Sequence, residues 1–405
     1  MAGKKIIALT YWSYKDALIQ TYTLPYLKMI SQAIGVDGTI YLLTLEQAHL
    51  RMSVEEKEEA KRMLGDLNIK LIAWPYAPFG FAGALRWMVY IFRLYGIIVS
   101  RGIGTIHAFC TPAGMIGHML SVMTAKDLVL DSYEPHAESM VENGTWKEGS
   151  FVHRLLFSYE RKQSKRAKAV IGTVAAMKDY AQERYNTTIR EFYSKPACVD
   201  LEMFSTLNNA DEELRKSLGL DGKVVCVYAG KLGGIYLDEE IFDIYKACFE
   251  VWGDRFRVLM LSNTPSKQLD SLAVKVGLDP KMIISRFVPF AEMPKYLRLA
   301  DFAINPVKPV PTKKYCTSIK DGEYWAMGLP VMIPANISED SALIKESGYG
   351  VVLKDLDKES IRDAVSEMKE LLSQDREELA RKVRELAVEH RSFSIAESIY
   401  KKIYA

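Results

Sequence analysis

Short apolar runs alternate with segments of helical period from the beginning of the chain. Ile6–Leu9, Thr39–Leu43, Lys70–Ala73, Thr105–Ala108, Leu128–Leu130 and Ala169–Gly172 read as strands. Between them, helices are predicted over Ile19–Ile34, Ser53–Leu64, Ala82–Arg101, Pro112–Thr124, Phe151–Lys168 and Val174–Tyr185. From about Thr187 to Glu212 the periodicity lapses into turns and polar residues. A second series then begins, with strands at Lys223–Ala229, Phe256–Leu261, Met282–Arg286, Phe302–Ile304, Val331–Ile333 and Gly350–Leu353. Its helices are predicted over Asp238–Trp252, Ser266–Val276, Ala291–Ala300 and Ser338–Ser347. Strands that read as continuous apolar runs and alternate with helices make parallel sheets covered on both faces. The expected architecture is α/β with two doubly wound, Rossmann-like parallel-sheet domains: residues 1–195, a linker over 196–215, and residues 216–391. The tail, residues 392–405, reads as one more helix.

The 405-residue length suits two cores. Fifty-three basic against 51 acidic side chains leave a net charge of +2, which gives no reason to expect a nucleic acid partner. Five scattered cysteines without metal-ligand spacing read as reduced core residues of a cytoplasmic protein. The N-terminus reads as a strand rather than a secretory signal. The most apolar window, Phe79–Val99, carries Arg86 and Arg93, each costing about 2.5–3.5 kcal/mol near a bilayer centre, so a spanning helix is not expected. A peripheral membrane contact stays open. Helix Phe151–Lys168 adds Arg154, Arg161, Lys162, Lys165, Arg166 and Lys168 against the single acid Glu160, either as a solvated face or as a contact with anionic lipid.

Candidate chemistry concentrates in Thr317–Val331. Thr317 or Ser318 suits an N-cap, Asp321 stands where a capping box needs it, and Gly328 with Pro330 closes the helix after about two turns. So short a helix presents its first turn, an anion site to which Lys320 adds a charge. Glu323, one turn on, suits vicinal hydroxyls such as those of a ribose; the alternatives are a plain capped helix and a Glu323–Lys320 ion pair. Gly230-Lys231-Leu232-Gly233-Gly234 lies between a strand and a helix, where glycines let a backbone approach a diphosphate and Lys231 supplies charge. Ser262 and Asn263 follow a strand in the same way. No DxD metal motif lies nearby, so catalysis is expected to be metal-independent, with no cofactor.

Several of these stretches resemble the family 4 retaining glycosyltransferases, GT-B enzymes that use nucleotide-sugar donors. Thr317–Val331 is similar to that family's S-P-T-K-x-x-E-Y-x-A-x-G-x-P-V stretch, with Lys320, Glu323, Tyr324, Ala326, Gly328, Pro330 and Val331 in register. Val199–Phe204 resembles its junction turn, Tyr228–Gly234 its phosphate loop, Arg286–Pro289 its base-binding turn, and Tyr296–Asp301 its "yl..AD" helix. The match covers most of the C-terminal half; over the N-terminal half it is one of layout. Two departures stand out. Tyr315 occupies the place of the family's first glutamate, and Ser13–Ala17 replaces its N-terminal Gly-Gly loop.

The resemblance implies two domains facing a cleft, with the C-terminal helix crossing back to the first. It implies a UDP- or GDP-linked sugar as donor and a glycan or lipid-linked acceptor, in cell-surface polysaccharide or glycoconjugate assembly. Thr317, Ser318, Lys320, Glu323, Gly230, Lys231, Gly233, Gly234, Ser262 and Asn263 would hold the donor, with Phe287 and Val288 at the base. His136 or Glu134, at the end of Asp131–His136, would face the anomeric centre, with Lys231 and Lys320 on the leaving diphosphate. Lys15, Asp16 and His107 are the acceptor-side candidates; for His107 the competing reading is a satisfied core histidine. A nucleotide-sugar epimerase of GT-B-like fold and a non-catalytic two-lobed binding protein remain as alternatives.

Overall fold

A computed structural model describes residues 3–78, 81–206 and 211–404; of Phe81 and Ala82 it describes only the backbone. The chain divides into two compact units, one formed by Met1–Pro196 with Ser394–Ala405, the other by Ala197–Phe393.

The first unit is built on strands β1 (Lys5–Leu9), β2 (Thr39–Glu46), β3 (Ile69–Pro75), β4 (Thr105–Phe109), β5 (Asp127–Tyr133), β6 (Ala169–Gly172) and β7 (Phe192–Ser194). They lie in the order β3-β2-β1-β4-β5-β6-β7, every pair parallel. The order reverses between β1 and β4, where Ile7 stands opposite Ile106. Strand β7 was not expected; it is three residues long and too polar to stand out by pattern. Helices Phe81–Arg101, Thr111–Thr124 and Phe151–Arg166 pack one on the next and form a layer over this sheet. The predicted helix over Ile19–Ile34 opens with a π-helical turn, Ile19–Thr23, before the α-helix Leu24–Ile34.

The second unit repeats the plan with β8 (Val224–Ala229), β9 (Phe256–Leu261), β10 (Ile283–Arg286), β11 (Phe302–Ile304), β12 (Val331–Pro334) and β13 (Val351–Leu353). Their order is β10-β9-β8-β11-β12-β13, again all parallel, reversing between β8 and β11. One continuous apolar core runs through this unit, from Val199 and Phe204 to Val383 and Ala387. Doubly wound sheets bind ligands beyond the strand carboxyl ends at such a reversal, which directs attention to the loop after β8.

Two structural details bear on the expected linker. Ala197–Phe204 is already built into the second unit: Val199 bridges Ser392, and the Phe204 ring lies in the core. Helix Glu212–Ser217, capped by Asp211, begins inside the expected segment, and residues 207–210 lie outside the described residues. Both units are thus all-parallel sheets covered by helices. The last described helix, Phe393–Tyr404, belongs from Ser394 onward to the first unit.

Candidate functional site

In the second unit, helix Ile319–Ala326 leans on the loop that follows β8. Gly230 there has φ +154°, a backbone that L side chains rarely adopt, and a Cβ on it would lie 2.8 Å from Lys320 Cε, so the lysine passes close over the loop backbone. Lys320 Nζ donates to the Tyr236 hydroxyl at 2.7 Å and sits 4.1 Å from the centre of that ring. The Ala229 amide donates to the Tyr324 hydroxyl at 2.9 Å, and the Tyr228 hydroxyl donates to the Lys231 carbonyl at 2.6 Å. Loop and helix are thus tied together on both sides of Gly230. Gly233 and Gly234 take φ +75° and +65°, the turn the loop needs. Lys231 is exposed. Tyr236 was missed by the sequence reading; its only signal is its place just beyond the glycine loop.

The helix N-terminus is not closed by its own side chains. Ser318 is the N-cap residue, yet its hydroxyl makes no cap bond, and it has no hydrogen-bond partner among the described residues. Thr317 Oγ1 accepts from the Ala197 amide at 2.8 Å instead. The capping box expected of Asp321 does not form. Its carboxyl is fully buried and takes both of its oxygens to the Asn305 side-chain amide, at 2.8 and 2.7 Å. Burial, then neighbouring Asp340, raises the Asp321 pKa far above the usual range, against the opposing pull of Arg391. Among the described residues Asp340 Oδ2 has no hydrogen-bond partner, while Asp340 Oδ1 accepts from Arg391.

Glu323 is only 8% exposed. No side-chain hydrogen bond or ion pair to it is formed among the described residues, so the Lys320–Glu323 ion pair weighed from sequence is absent. Burial pushes its pKa up to about 7, with Lys320 pulling it down by less. A buried carboxylate without a side-chain donor among the described residues suits a ligand with hydroxyls to give.

Around the same strand ends, Ser262 closes a local turn by accepting from the Thr264 amide at 3.1 Å, and the two hydroxyls meet at 2.8 Å. Asn263 stands exposed beside it. Val288 is buried in the core, whereas Phe287, just past the end of β10, is 73% exposed.

In the first unit the strand end at β5 divides into an inner and an outer set. The register between β5 and β6 shifts after Leu130, and Ser132 takes φ +54°, which turns Glu134 and His136 outward. His136 Nδ1 lies 3.5 Å from Glu134 Oε1, both partly exposed. The helix that His136 opens is held from below by Glu160, whose Oε1 accepts from the Ala137 amide at 2.8 Å. Asp131 points inward. Burial alone would raise its pKa, but Lys195 at 3.0 Å, then His107 and the Tyr400 hydroxyl, hold it well below the carboxylate range.

His107 requires a correction. It is fully buried, with Nδ1 2.6 Å from the Tyr404 hydroxyl and Nε2 3.2 Å from Asp131 Oδ2, so it is a satisfied core histidine and faces no acceptor. Lys15 pairs with Glu56 at 2.8 Å on the surface, and Asp16 accepts from the Leu18 amide, capping its own turn. The structure does not bring these three together.

No protein-family model and no curated protein matches the sequence. Solved structures do match in shape over nearly the whole chain. HepE of Anabaena in complex with UDP-glucose superposes with a TM-score of 0.72 at 13% identity, covering 98% of both chains. Sucrose-phosphate synthase of Thermosynechococcus elongatus follows at 0.70 and 12%, covering 99% of this chain and 98% of that one. WaaG, a glycosyltransferase involved in lipopolysaccharide biosynthesis, stands at 0.68 and 15%, covering 98% and 99%. At such identities the likeness shows the fold, GT-B, that this chain shares with them.

Proposed function

We propose that the chain is a retaining, metal-independent glycosyltransferase of the family 4 type, moving a hexose from a nucleoside diphosphate to a glycan or lipid-linked acceptor at the cytoplasmic side. One observation carries this reading: Lys320 crosses Gly230 on the β8 loop, and Glu323, one turn along the same helix, is a buried carboxylate with no side-chain donor among the described residues. The first suits a diphosphate and the second a ribose. HepE, which shares the fold, binds UDP and UDP-glucose, which supports UDP as the nucleotide.

In this reaction the bond from the anomeric carbon to the phosphate oxygen breaks, and the acceptor oxygen bonds to that carbon from the same face. The acceptor hydroxyl proton passes to the departing phosphate, so no separate general base is required. Lys231, Lys320 and the N–H groups of the open helix terminus offset the charge growing on the diphosphate. His136 and Glu134 are assigned to the sugar.

The test is calorimetry with UDP and GDP. Glu323→Ala and Lys320→Ala are each expected to weaken nucleotide binding by roughly 1.5–3 kcal/mol, the worth of a charge-assisted hydrogen bond. Wild-type affinity in both variants rejects the site.

A further inference from the structure

Helix Phe81–Arg101 has two apolar faces, and among the described residues only one of them is buried. Trp87, Tyr90, Leu94 and Ile98 are buried in the first unit. The Trp87 indole donates to the Pro78 carbonyl at 3.2 Å and the Tyr90 hydroxyl to the Pro75 carbonyl at 2.9 Å, which pins this face to the end of β3. On the opposite side, Leu85, Met88, Val89, Phe92, Tyr95 and Val99 are exposed, Leu85 by 71% and Phe92 by 64%. At 100° per residue these fall within one stripe, about 21 Å long from Leu85 to Val99 at ~1.5 Å per residue. By length and composition this helix is long and apolar enough to cross a membrane, but one face of it is buried in the first unit.

Charge distinguishes the occupants open to such a stripe. Arg86, which also donates to the Tyr76 carbonyl at 3.0 Å, and Arg93, two turns on, lie along the same border of it, Arg101 ends the helix, and the helix carries no acid. The same layer continues through helix Thr111–Thr124, which has no charged residue, to helix Phe151–Arg166. There Arg154, Arg161, Lys162 and Lys165 are exposed, while the one acid, Glu160, is turned into the core and accepts from Tyr185. A second copy of the chain meeting this face by two-fold symmetry would set arginines beside arginines with no acid to answer them. An anionic bilayer surface answers both features: apolar side chains enter the acyl boundary while the arginines at the border reach lipid phosphates.

We propose that the Leu85–Val99 stripe of this helix is a monotopic membrane-docking surface, in which the helix lies in the plane of an anionic leaflet. The inference is independent of the nucleotide site. The experiment is co-sedimentation of the full chain with phosphatidylcholine vesicles with and without phosphatidylglycerol, alongside sedimentation velocity without lipid. Wild type is expected to pellet with the phosphatidylglycerol vesicles and to lose most of that binding in high salt. Phe92→Glu and Leu85→Glu, changes at exposed positions, are expected to lower partitioning about tenfold or more with melting temperature and UDP affinity unchanged, whereas Arg93→Gln weakens binding only to the anionic vesicles. Absence of wild-type binding, or equal pelleting of the Phe92→Glu chain, overturns the proposal. So does a dimer in solution that Phe92→Glu dissociates, since the stripe is then an interface between copies.

Discussion

Glu323 combines a stability cost with the binding role proposed for it, and the two can be separated by pH. Its folded pKa of about 7 stands above its ordinary value of 4.5 because burial disfavours the charge. Between those values the folded chain holds a proton that the unfolded chain has lost, so its contribution to stability falls as pH rises through this window. Glu323→Gln is therefore expected to match wild type at pH 4 and to be more stable at pH 8 by roughly 1–3 kcal/mol, read by thermal or urea unfolding without ligand. Binding runs the other way, because only the ionised carboxylate accepts strongly from ribose hydroxyls. UDP-glucose affinity of the wild type should rise with pH through about 7, while that of Glu323→Gln stays flat and weaker. Parallel pH dependence in both chains would remove Glu323 from the site.

The short helix that presents Glu323 is supported by polar residues that no local pattern links to it. Asn305 follows β11, Asp340 opens helix Asp340–Ser347, and Arg391 ends helix Arg376–Arg391, with its guanidinium 5.4 Å from the Trp325 ring centre. The strand–helix alternation was legible because parallel strands buried on both faces leave unbroken apolar runs, as Val225–Ala229 and Leu259–Leu261 do. Asp321 was misread for the complementary reason: spacing to Ser318 suggested a capping box, while its true partners lie 16, 19 and 70 positions away. Helices Lys358–Leu371 and Arg376–Arg391 also escaped the alternation, since they follow the last strand and have no strand between them. The network makes an asymmetric prediction. Arg391→Met strips the cation from two buried carboxyls and is expected to destabilise the fold by roughly 3–5 kcal/mol. Asp321→Asn keeps the shape and already matches a protonated carboxyl, so a loss under about 1 kcal/mol is expected. Urea unfolding of the two variants decides, and equal losses would reject a protonated Asp321.

At the scale of the whole chain, the first unit is discontinuous: it is completed by helix Phe393–Tyr404, from Ser394 onward. Tyr400 and Tyr404 supply hydroxyls to Asp131 and His107, and Lys195, close to the end of the unit's first segment, sits over the Tyr26 ring at 3.3 Å while pairing with Asp131. A buried carboxylate with a single cation needs every remaining donor, because each one lost leaves charge uncompensated in a poor solvent. Tyr400→Phe keeps the ring and removes only the hydroxyl, and is expected to cost roughly 1.5–3 kcal/mol, the worth of a hydrogen bond to a charged group. A chain cut after Ser392 loses both hydroxyls together with the buried Ala396 and Ile399, and is expected to lose more. Amide hydrogen exchange locates these effects within the molecule. Faster exchange is expected in β4 and β5, which carry His107 and Asp131, while UDP still slows exchange in the Gly230–Gly234 loop of the other unit. Undisturbed β4 and β5 in the Tyr400→Phe chain would show that the returning helix is not what holds Asp131.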